Sequence, residues 1–246
     1  MVVNVGGINF LRASAFFPDP HIASFFWGMT LPLALVMGSR ASGQTRSFFL
    51  TAALLILSAD LLTFSRGGYL ALLAALFVFL AFFFSPALKK HIPELVLFCF
   101  IFALFIVIPN PLFGRLSSMF DSSDNSTNGR LAIWSEAVHI IAEHPVTGVG
   151  LGNYSNTVKP SALYREPRYA HNIFLDIAAE TGIANALLFL FLLTFAITRA
   201  FTHRHNSLSF AAGCSLLIFS THALFETPLY SVHILPLFLT LVAFAL

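Results

Sequence analysis

Long apolar runs separated by short polar turns occupy most of this 246-residue chain. A helical run of about 20 apolar residues is long enough to cross the hydrocarbon core of a bilayer. Runs close to that length lie at 22–38, 48–64, 68–85, 92–109, 173–198, 208–225 and 232–246. The pattern therefore predicts an all-α fold, a polytopic transmembrane bundle of about seven helices.

The composition supports a membrane protein and excludes several other classes. Hydrophobic residues make up 57% of the chain and charged residues only 10%, which is not typical of a soluble domain. Cys99 and Cys214 lie inside apolar runs, so we expect no disulfide. No cluster of cysteine, histidine and acidic residues has the spacing of a zinc or iron site, and we expect neither a metal nor another cofactor. The net charge of +2 is too small and too dispersed for nucleic-acid binding. We interpret residues 1–246 as one membrane domain in contact with the lipid bilayer.

The basic residues of the short loops predict the orientation of the bundle. They fall on one side, at Arg40, Arg46, Lys89, Lys90, Arg199 and Arg204. By the positive-inside rule, that side is cytoplasmic. The outer side then holds the N-terminal tail, the turn at Arg66, a long loop over 110–171 and the turn at 226–230. The polar residues of these outer segments are the candidates for a functional site.

The long outer loop contains a predicted amphipathic helix. Residues 130–144 place Leu131, Trp134 and Ile141 at helical spacing, and Pro145 ends the pattern. Such a helix is typical of the membrane interface, where tryptophan most often serves as an anchor. We therefore do not assign Trp134 to the site.

Two arginines open predicted helices. Arg66 begins the third span, and Arg130 begins the loop helix with Asn128 as its N-cap. A cation is disfavoured at a helix N-terminus by the macrodipole, unless the arginine and the terminus share a bound anion. The placement predicts binding of a phosphate or pyrophosphate. The alternative is that each arginine extends into the lipid headgroups.

His171 is the best candidate for a general base. It directly precedes Asn172 at the start of the fifth span, with Arg168 nearby. A helix N-terminus and nearby cations lower the proton affinity of an imidazole, so we expect a neutral ring that accepts a proton. The alternative is a structural hydrogen-bonding role, because only geometry identifies a base.

Paired acidic residues lie near the same end of the bundle. Asp176 and Glu180 share one helix face and are costly in lipid unless they are paired. They could orient His171 or balance the arginines, or they could simply hold helices together. His222 and Glu226 form a similar pair, which we regard as a weaker candidate.

Three alternating glycines, Gly148, Gly150 and Gly152, follow the loop helix. They superficially resemble a phosphate-binding loop, but a helix rather than a strand precedes them and no Walker lysine accompanies them. We interpret the segment as a flexible turn that lets the chain approach a ligand closely.

Together these fragments resemble the O-antigen ligase, or Wzy_C-type, family of bacterial membrane proteins. The matching elements are residues 12–23, Ser65-Arg66-Gly67, Gly129-Arg130 with Trp134, His144-Pro145 with the glycines that follow, His171-Asn172 and Glu180-Thr181-Gly182. The similarity covers most of the chain. Members of the family usually carry further spans before the first element, so the chain resembles the C-terminal part of such a protein.

The resemblance implies a metal-independent, inverting glycosyltransferase. It implies a place in the bacterial inner membrane, with the loop 110–171 and the active site facing the periplasm. The donor is a glycan linked to undecaprenyl pyrophosphate, and the acceptor is a hydroxyl of lipid A-core or of another glycan. Arg66 and Arg130 are then expected to bind the pyrophosphate, while His171 activates the acceptor hydroxyl.

Other functions remain open at the level of sequence. An O-antigen or exopolysaccharide polymerase and a protein O-oligosaccharyltransferase use similar chemistry on different acceptors. A transporter is suggested by Asp60, Asp176 and Glu180 inside apolar runs, and it predicts broken helices around a site at the membrane midplane. An inactive, truncated subunit of a polysaccharide-assembly complex is the remaining alternative.

Overall fold

A computed structural model describes residues 1–5, 8–83, 114, 125–158 and 169–246 of the chain. This part is mostly helical, as the sequence predicts, but it also contains a short β-hairpin. Its elements are β1 (Val2–Val5), β2 (Ile8–Leu11), α1 (Pro20–Arg40), α2 (Gly43–Leu61), α3 (Arg66–Phe83), α4 (Asn125–Glu143), α5 (Tyr154–Thr157), α6 (Ile173–Thr181), α7 (Ile183–Thr202), α8 (Ser207–His222), a 3-10 turn (Pro228–Tyr230) and α9 (Leu235–Ala245). The predicted fourth span, 92–109, and Arg168 lie outside the described residues.

The N-terminal hairpin is the one departure from an all-α fold in the described part of the chain. Its antiparallel strands pair Val2 with Leu11 and Val5 with Ile8. The β-branched residues of β1 favour an extended backbone. Beyond β2, the Ala13 N–H donates to the Leu62 carbonyl at 2.9 Å. The hairpin therefore fixes the start of the chain to the end of α2.

Helix α8 lies at the centre of the bundle. It packs against α1, α3, α7 and α9, and eleven of its 16 residues are buried. Small residues allow this close packing, since a Cβ added at Gly213 would lie 2.9 Å from the Cβ of Ala200. Because α8 is held on several sides, the segment that follows His222 starts from a fixed position.

The predicted fifth span is broken into two helices at Gly182, which has a φ of 94°. A break leaves backbone groups without helical partners. Residues 145–150 supply those partners through three backbone hydrogen bonds of 2.9 Å, from Val149 to Ala179, from Gly150 to Glu180 and from Ile183 to Pro145. The prediction of one continuous helix over 173–198 is therefore wrong.

The glycine-rich turn approaches this helix junction closely. Gly148 has a φ of 64°, and a side chain there would collide with the backbone of Glu180. A side chain at Gly182 would likewise collide with the carbonyl of Val146. The described contacts of Gly148 and Gly182 are with the protein itself, and close approach of the turn to a ligand stays a prediction.

Helix α4 ends before Pro145, as predicted, but it begins at Asn125 rather than at Arg130. Its buried face consists of Ile133, Ala137 and Ile140, which pack in a cluster with Tyr154 and Ala179. Leu131, predicted on the apolar face, is exposed. The apolar face of α4 is therefore covered by other parts of the protein, and a position at the membrane interface stays a prediction.

Among the residues that the structure describes, two helices, α1 and α7, are long and apolar enough to cross a membrane. The segments Arg66–Val78, Ser207–His222 and Leu235–Ala245 are apolar but shorter. An Arg40 guanidinium N–H donates to the His205 carbonyl at 3.4 Å, so the basic loops after α1 and α7 meet at one end. This agrees with the predicted grouping of basic residues, while the number of spans and their sidedness stay predictions.

We expect Gly182→Ala to destabilise the protein by about 1–3 kcal/mol, because alanine is strained at this positive φ and its Cβ meets the Val146 carbonyl. Thermal unfolding of the purified protein in detergent measures the effect. Gly152→Ala is the matched control, since Gly152 also has a positive φ but its added Cβ meets nothing within 4 Å. Equal melting temperatures for the two variants would show that the close contact at Gly182 contributes nothing.

Candidate active site

The carboxylate of Glu226, in the turn after α8, brings two predicted site residues together. Its Oε1 accepts a hydrogen bond from Arg130 Nη2 at 2.9 Å, and its Oε2 lies 2.8 Å from His171 Nδ1. Arg130 and His171 are separated from Glu226 by 96 and 55 positions in the chain. Folding thus assembles a carboxylate, a guanidinium and an imidazole from three distant segments.

The surroundings of Glu226 keep its carboxylate ionised. Burial raises the pKa of Glu226, but the charge of His21, the hydrogen bond and charge of His171 and the charge of Arg130 lower it. The net result is a pKa well below the usual value for glutamate. Only 13% of the side chain is exposed, so these charges are weakly screened by water. The cluster is held together mainly by charge-assisted contacts.

His171 is held by the backbone around it. It has a φ of 52°, an uncommon conformation for a residue other than glycine. Asp176 Oδ1 accepts a hydrogen bond from the Ala170 N–H at 2.7 Å on one side of it. On the other side, the Asn172 side chain caps α6 by accepting from the Phe174 and Leu175 N–H groups. Asn172 and Asp176, predicted as supporting residues, therefore fix the backbone that carries His171.

The protonation of His171 differs from the sequence-based expectation. Burial lowers the pKa of His171, and Arg130 lowers it further, but the hydrogen bond and charge of Glu226 raise it more. The net pKa is above the ordinary value for histidine. The expectation of a lowered pKa is thus wrong, because Glu226 outweighs the nearby arginine. His171 is a stronger base than an isolated imidazole.

The two predicted arginines, Arg66 and Arg130, lie at different positions within their helices. Arg66 is the first residue of α3, as predicted, and is 4% exposed. Arg130 lies in the second turn of α4 rather than at its start, because Asn128 is inside the helix instead of capping it. The helix-dipole argument therefore does not apply to Arg130. Its position in the site depends instead on the ion pair with Glu226.

A second group of side chains lies behind Glu226. His21 Nδ1 is 3.7 Å from Glu226 Oε1 and 3.2 Å from Ser65 Oγ. Ser65 Oγ is in turn 3.1 Å from Nε2 of the buried His222, and Arg12 Nη2 is 3.4 Å from His21 Nε2. The first of these distances is an ion-pair distance rather than a hydrogen bond. Ser65, the residue before Arg66, is therefore linked to the same cluster.

Several members of this cluster were not predicted as site residues. Arg12 and His21 lie in the 12–23 element that carries part of the family resemblance, but the residues alone gave them no role. Asp19 places His21 by capping α1, since its carboxylate accepts from the N–H groups of His21 and Ile22. Glu226, treated as a weak candidate, contacts both Arg130 and His171.

Asp176 and Glu180 stabilise the turn after α8. Besides Ala170, Asp176 accepts a hydrogen bond from the Thr227 hydroxyl. Glu180 accepts from the Tyr230 hydroxyl at 2.5 Å. Of the two roles considered for these acids, these contacts favour the structural one, with Asp176 also placing His171 through the backbone. They hold the segment that carries Glu226 against α6.

Trp134 faces this same segment. Its ring centroid is 6.3 Å from that of Phe225, the residue before Glu226. The contact makes Trp134 a packing residue beside the site, and its role as an interfacial anchor stays a prediction. Within the residues that the structure describes, no group of three or more histidine, cysteine or acidic side chains is arranged to hold a metal ion.

Comparison with known proteins gives the family. The model of the O-antigen ligase family, Wzy_C, matches residues 51–190. An O-antigen polymerase from Salmonella muenchen is 27% identical over an alignment of 195 residues, which covers 72% of this chain and 44% of that protein. The chain thus spans less than half the length of this curated relative. Since the family model covers more than half of the chain and includes Arg66, Arg130 and His171, the protein belongs to the O-antigen ligase family.

Proposed function

We propose that this protein transfers a glycan from an undecaprenyl pyrophosphate carrier to an acceptor hydroxyl. The observation that carries the proposal is the meeting of His171 and Arg130 on the carboxylate of Glu226. Transfer from a pyrophosphate needs a base for the hydroxyl and a cation for the leaving group, and both are present in one cluster. Family membership supports the same reaction.

The proposed reaction uses the side chains as follows. Glu226 accepts the Nδ1 hydrogen of His171, so the Nε2 lone pair is available to take the proton of the acceptor hydroxyl. The hydroxyl oxygen attacks the anomeric carbon while the bond from that carbon to the pyrophosphate oxygen breaks, with inversion. The electron pair leaves with the pyrophosphate, whose charge Arg130 and Arg66 stabilise without a metal ion. Contacts of this kind contribute about 1.5–3 kcal/mol each.

The proposed setting is the bacterial inner membrane, with the site facing the periplasm. The basic loops at Arg40 and His205 meet at one end of the bundle, and the positive-inside rule assigns such an end to the cytoplasm. His171 precedes the helix pair α6–α7, which ends near these loops, so the site belongs to the opposite end. A lipid-linked donor reaches such a site from within the bilayer.

The acceptor divides the proposal into two forms. A ligase transfers the finished glycan to lipid A-core, whereas a polymerase transfers it to a further repeat of the same glycan. The similarity to an O-antigen polymerase supports the polymerase form as the alternative to the ligase form. A protein acceptor has no specific support in the described contacts.

The other classes have less support. A broken helix is expected in a transporter, and the fifth span is broken, but the groups freed at Gly182 are bonded to residues 145–150 instead of lining a site. An inactive subunit is suggested only by the match to less than half of the length of the polymerase. The contacts of Arg130 and His171 with Glu226 support an active site over an inactive subunit.

We expect His171→Ala to reduce glycan transfer by about 100-fold or more, since general-base catalysis contributes about 10²–10⁴-fold. The measurement is labelling of the acceptor in membranes that contain the chain and an undecaprenyl pyrophosphate-linked donor, with and without a chelator. His139→Ala, at an exposed histidine of α4, is the control and is expected to retain full transfer. Equal transfer by His171→Ala and the unmodified chain would remove His171 from the mechanism, and loss with the chelator would contradict metal independence.

The pH dependence should show the raised pKa of His171. The base form is lost as the pH falls through that pKa, so the acid limb of kcat/KM is expected above the ordinary histidine pKa of about 6.5. Transfer rates measured at low donor concentration between pH 5 and 9, roughly the range around a histidine pKa, give the limb. An acid limb well below that value would mean that Glu226 does not act on the catalytic base.

Arg130→Gln is expected to raise the KM for the lipid-linked donor by about 10- to 100-fold, because one charge-assisted contact to the pyrophosphate is lost. Arg130→Lys should recover part of this loss, since the charge is kept but the paired N–H groups are not. Arg199→Gln, at the opposite end of the bundle, serves as the control for a lost positive charge. An unchanged donor KM in Arg130→Gln would exclude Arg130 from donor binding.

A further inference from the structure

Glu226 uses its two oxygens on two different partners. Oε1 binds the guanidinium of Arg130, and Oε2 binds the ring of His171. The proposed function gives these partners separate tasks, on the leaving group and on the acceptor. One carboxylate therefore contacts both the residue proposed to bind the leaving group and the residue proposed to activate the acceptor, and its charge acts on both.

The contact with Arg130 competes with the donor. An arginine N–H that donates to a carboxylate at 2.9 Å cannot donate to a phosphate oxygen at the same time. The Arg130 side chain is 19% exposed, so an incoming anion can reach it from outside the cluster. Glu226 also repels an anion that approaches the same guanidinium, so a pyrophosphate that binds through this N–H group displaces Glu226 from it, while the other N–H groups of Arg130 can bind the phosphate as well.

The contact with His171 does not compete with the acceptor. It involves Nδ1 alone, at 2.8 Å, and 38% of the His171 side chain is exposed. Nε2 lies on the opposite edge of the imidazole, so Glu226 can hold the ring while Nε2 faces an acceptor hydroxyl. A carboxylate that binds one ring nitrogen commonly orients a catalytic histidine so that its other nitrogen can act.

We propose that Glu226 is a positioning residue that fixes His171 through Nδ1 and holds Arg130 only until the pyrophosphate of the donor takes over its guanidinium. The inference rests on the proposed function. Once Arg130 binds the phosphate, its positive charge offsets the negative charge of Glu226 less, so Glu226 attracts a proton to His171 more strongly. Donor binding would thus strengthen the base before the acceptor hydroxyl is attacked.

Other titratable groups lie near this carboxylate. His21 Nδ1 lies 3.7 Å from Oε1, and Arg12 lies behind His21. Asp176 is near His171 through the Ala170 backbone, and His222 is joined to His21 through Ser65. Asp19 is fixed at the start of α1 as its cap. His21 therefore remains beside Oε1 when Arg130 leaves, which keeps the buried carboxylate from losing all its partners.

The test is Glu226→Gln, which removes the charge and keeps the size of the side chain. We expect binding of undecaprenyl pyrophosphate without a glycan to become about tenfold tighter, because Arg130 no longer has a carboxylate to leave. The kcat of glycan transfer should fall by about tenfold or more, and its acid limb should move to lower pH. If Glu226 had only a structural role, its substitution would weaken carrier binding and transfer activity together.

Two further variants make the result specific. Glu226→Asp keeps the charge, so its acid limb should stay near that of the unmodified protein and its affinity for the carrier should not increase. Glu143→Gln removes a carboxylate that pairs with a histidine at 3.3 Å on the exposed face of α4, and it should change neither quantity.

Glu226→Gln that binds the carrier no more tightly, or that transfers glycan with an unmoved acid limb, would overturn the inference. The binding measurement needs no transfer, so it separates this inference from the proposed function. If the unmodified chain transfers glycan and His171→Ala does not, the proposed function stands whatever Glu226→Gln does. Tighter carrier binding by Glu226→Gln without transfer by any variant would support the exchange at Arg130 and contradict the proposed reaction.

Discussion

The site depends on one buried carboxylate with several positively charged or ionisable neighbours. Removing a carboxylate from water costs several kcal/mol, and this cost is offset only when partners of good geometry surround it. Glu226 has such partners in Arg130 and His171, with His21 close by. Each partner belongs to a different segment, so the position of α4, the start of α6 and the start of α1 all depend on the same charge. Loss of any one partner leaves the others with an unbalanced group.

The helices give this carboxylate a fixed place. Helix α8 is packed on several sides, and its last residue, His222, stacks on Phe25 of α1 with ring centroids 3.7 Å apart. The chain then turns within a few residues to Glu226, while Ile173 at the start of α6 bonds to the Ala223 carbonyl. Asp176 and Tyr230 secure the far side of this turn. The rigid packing of apolar helices thus determines where a small polar cluster forms.

The sequence predicted the helices with long apolar runs well, because burial and span length leave a direct signal in hydrophobicity. It also placed Arg66 at the start of α3 and His171 before α6. It missed the start of α4, since Asn125 to Asn128 are polar residues typical of loops. The break at Gly182 was missed because apolar residues continue on both sides of it, and the partners that stabilise it come from 145–150.

The role of Glu226 could not be inferred from neighbouring residues. Its partners lie 96 and 55 positions away, and the local sequence shows only an acidic residue after an apolar run. The same distance explains the wrong sign for the pKa of His171. The nearby sequence contains arginines, which led to the expectation of a lowered pKa, whereas the carboxylate that raises the pKa is supplied by tertiary structure. A family resemblance can list the residues of a site, but the charge balance among them needs the fold.

The break at Gly182 has a mechanical consequence for a protein in a bilayer. Helices that cross a membrane tilt to match its thickness, and a continuous helix would pass that tilt to both of its ends. Of the α6–α7 pair, only α7 has the length of a span, and α6, which begins just after His171, is bonded to the 145–150 loop. A tilt of α7 is therefore not carried to His171 along one continuous helix, and the contact between His171 and Glu226 depends on how α6 is bonded to its own neighbours.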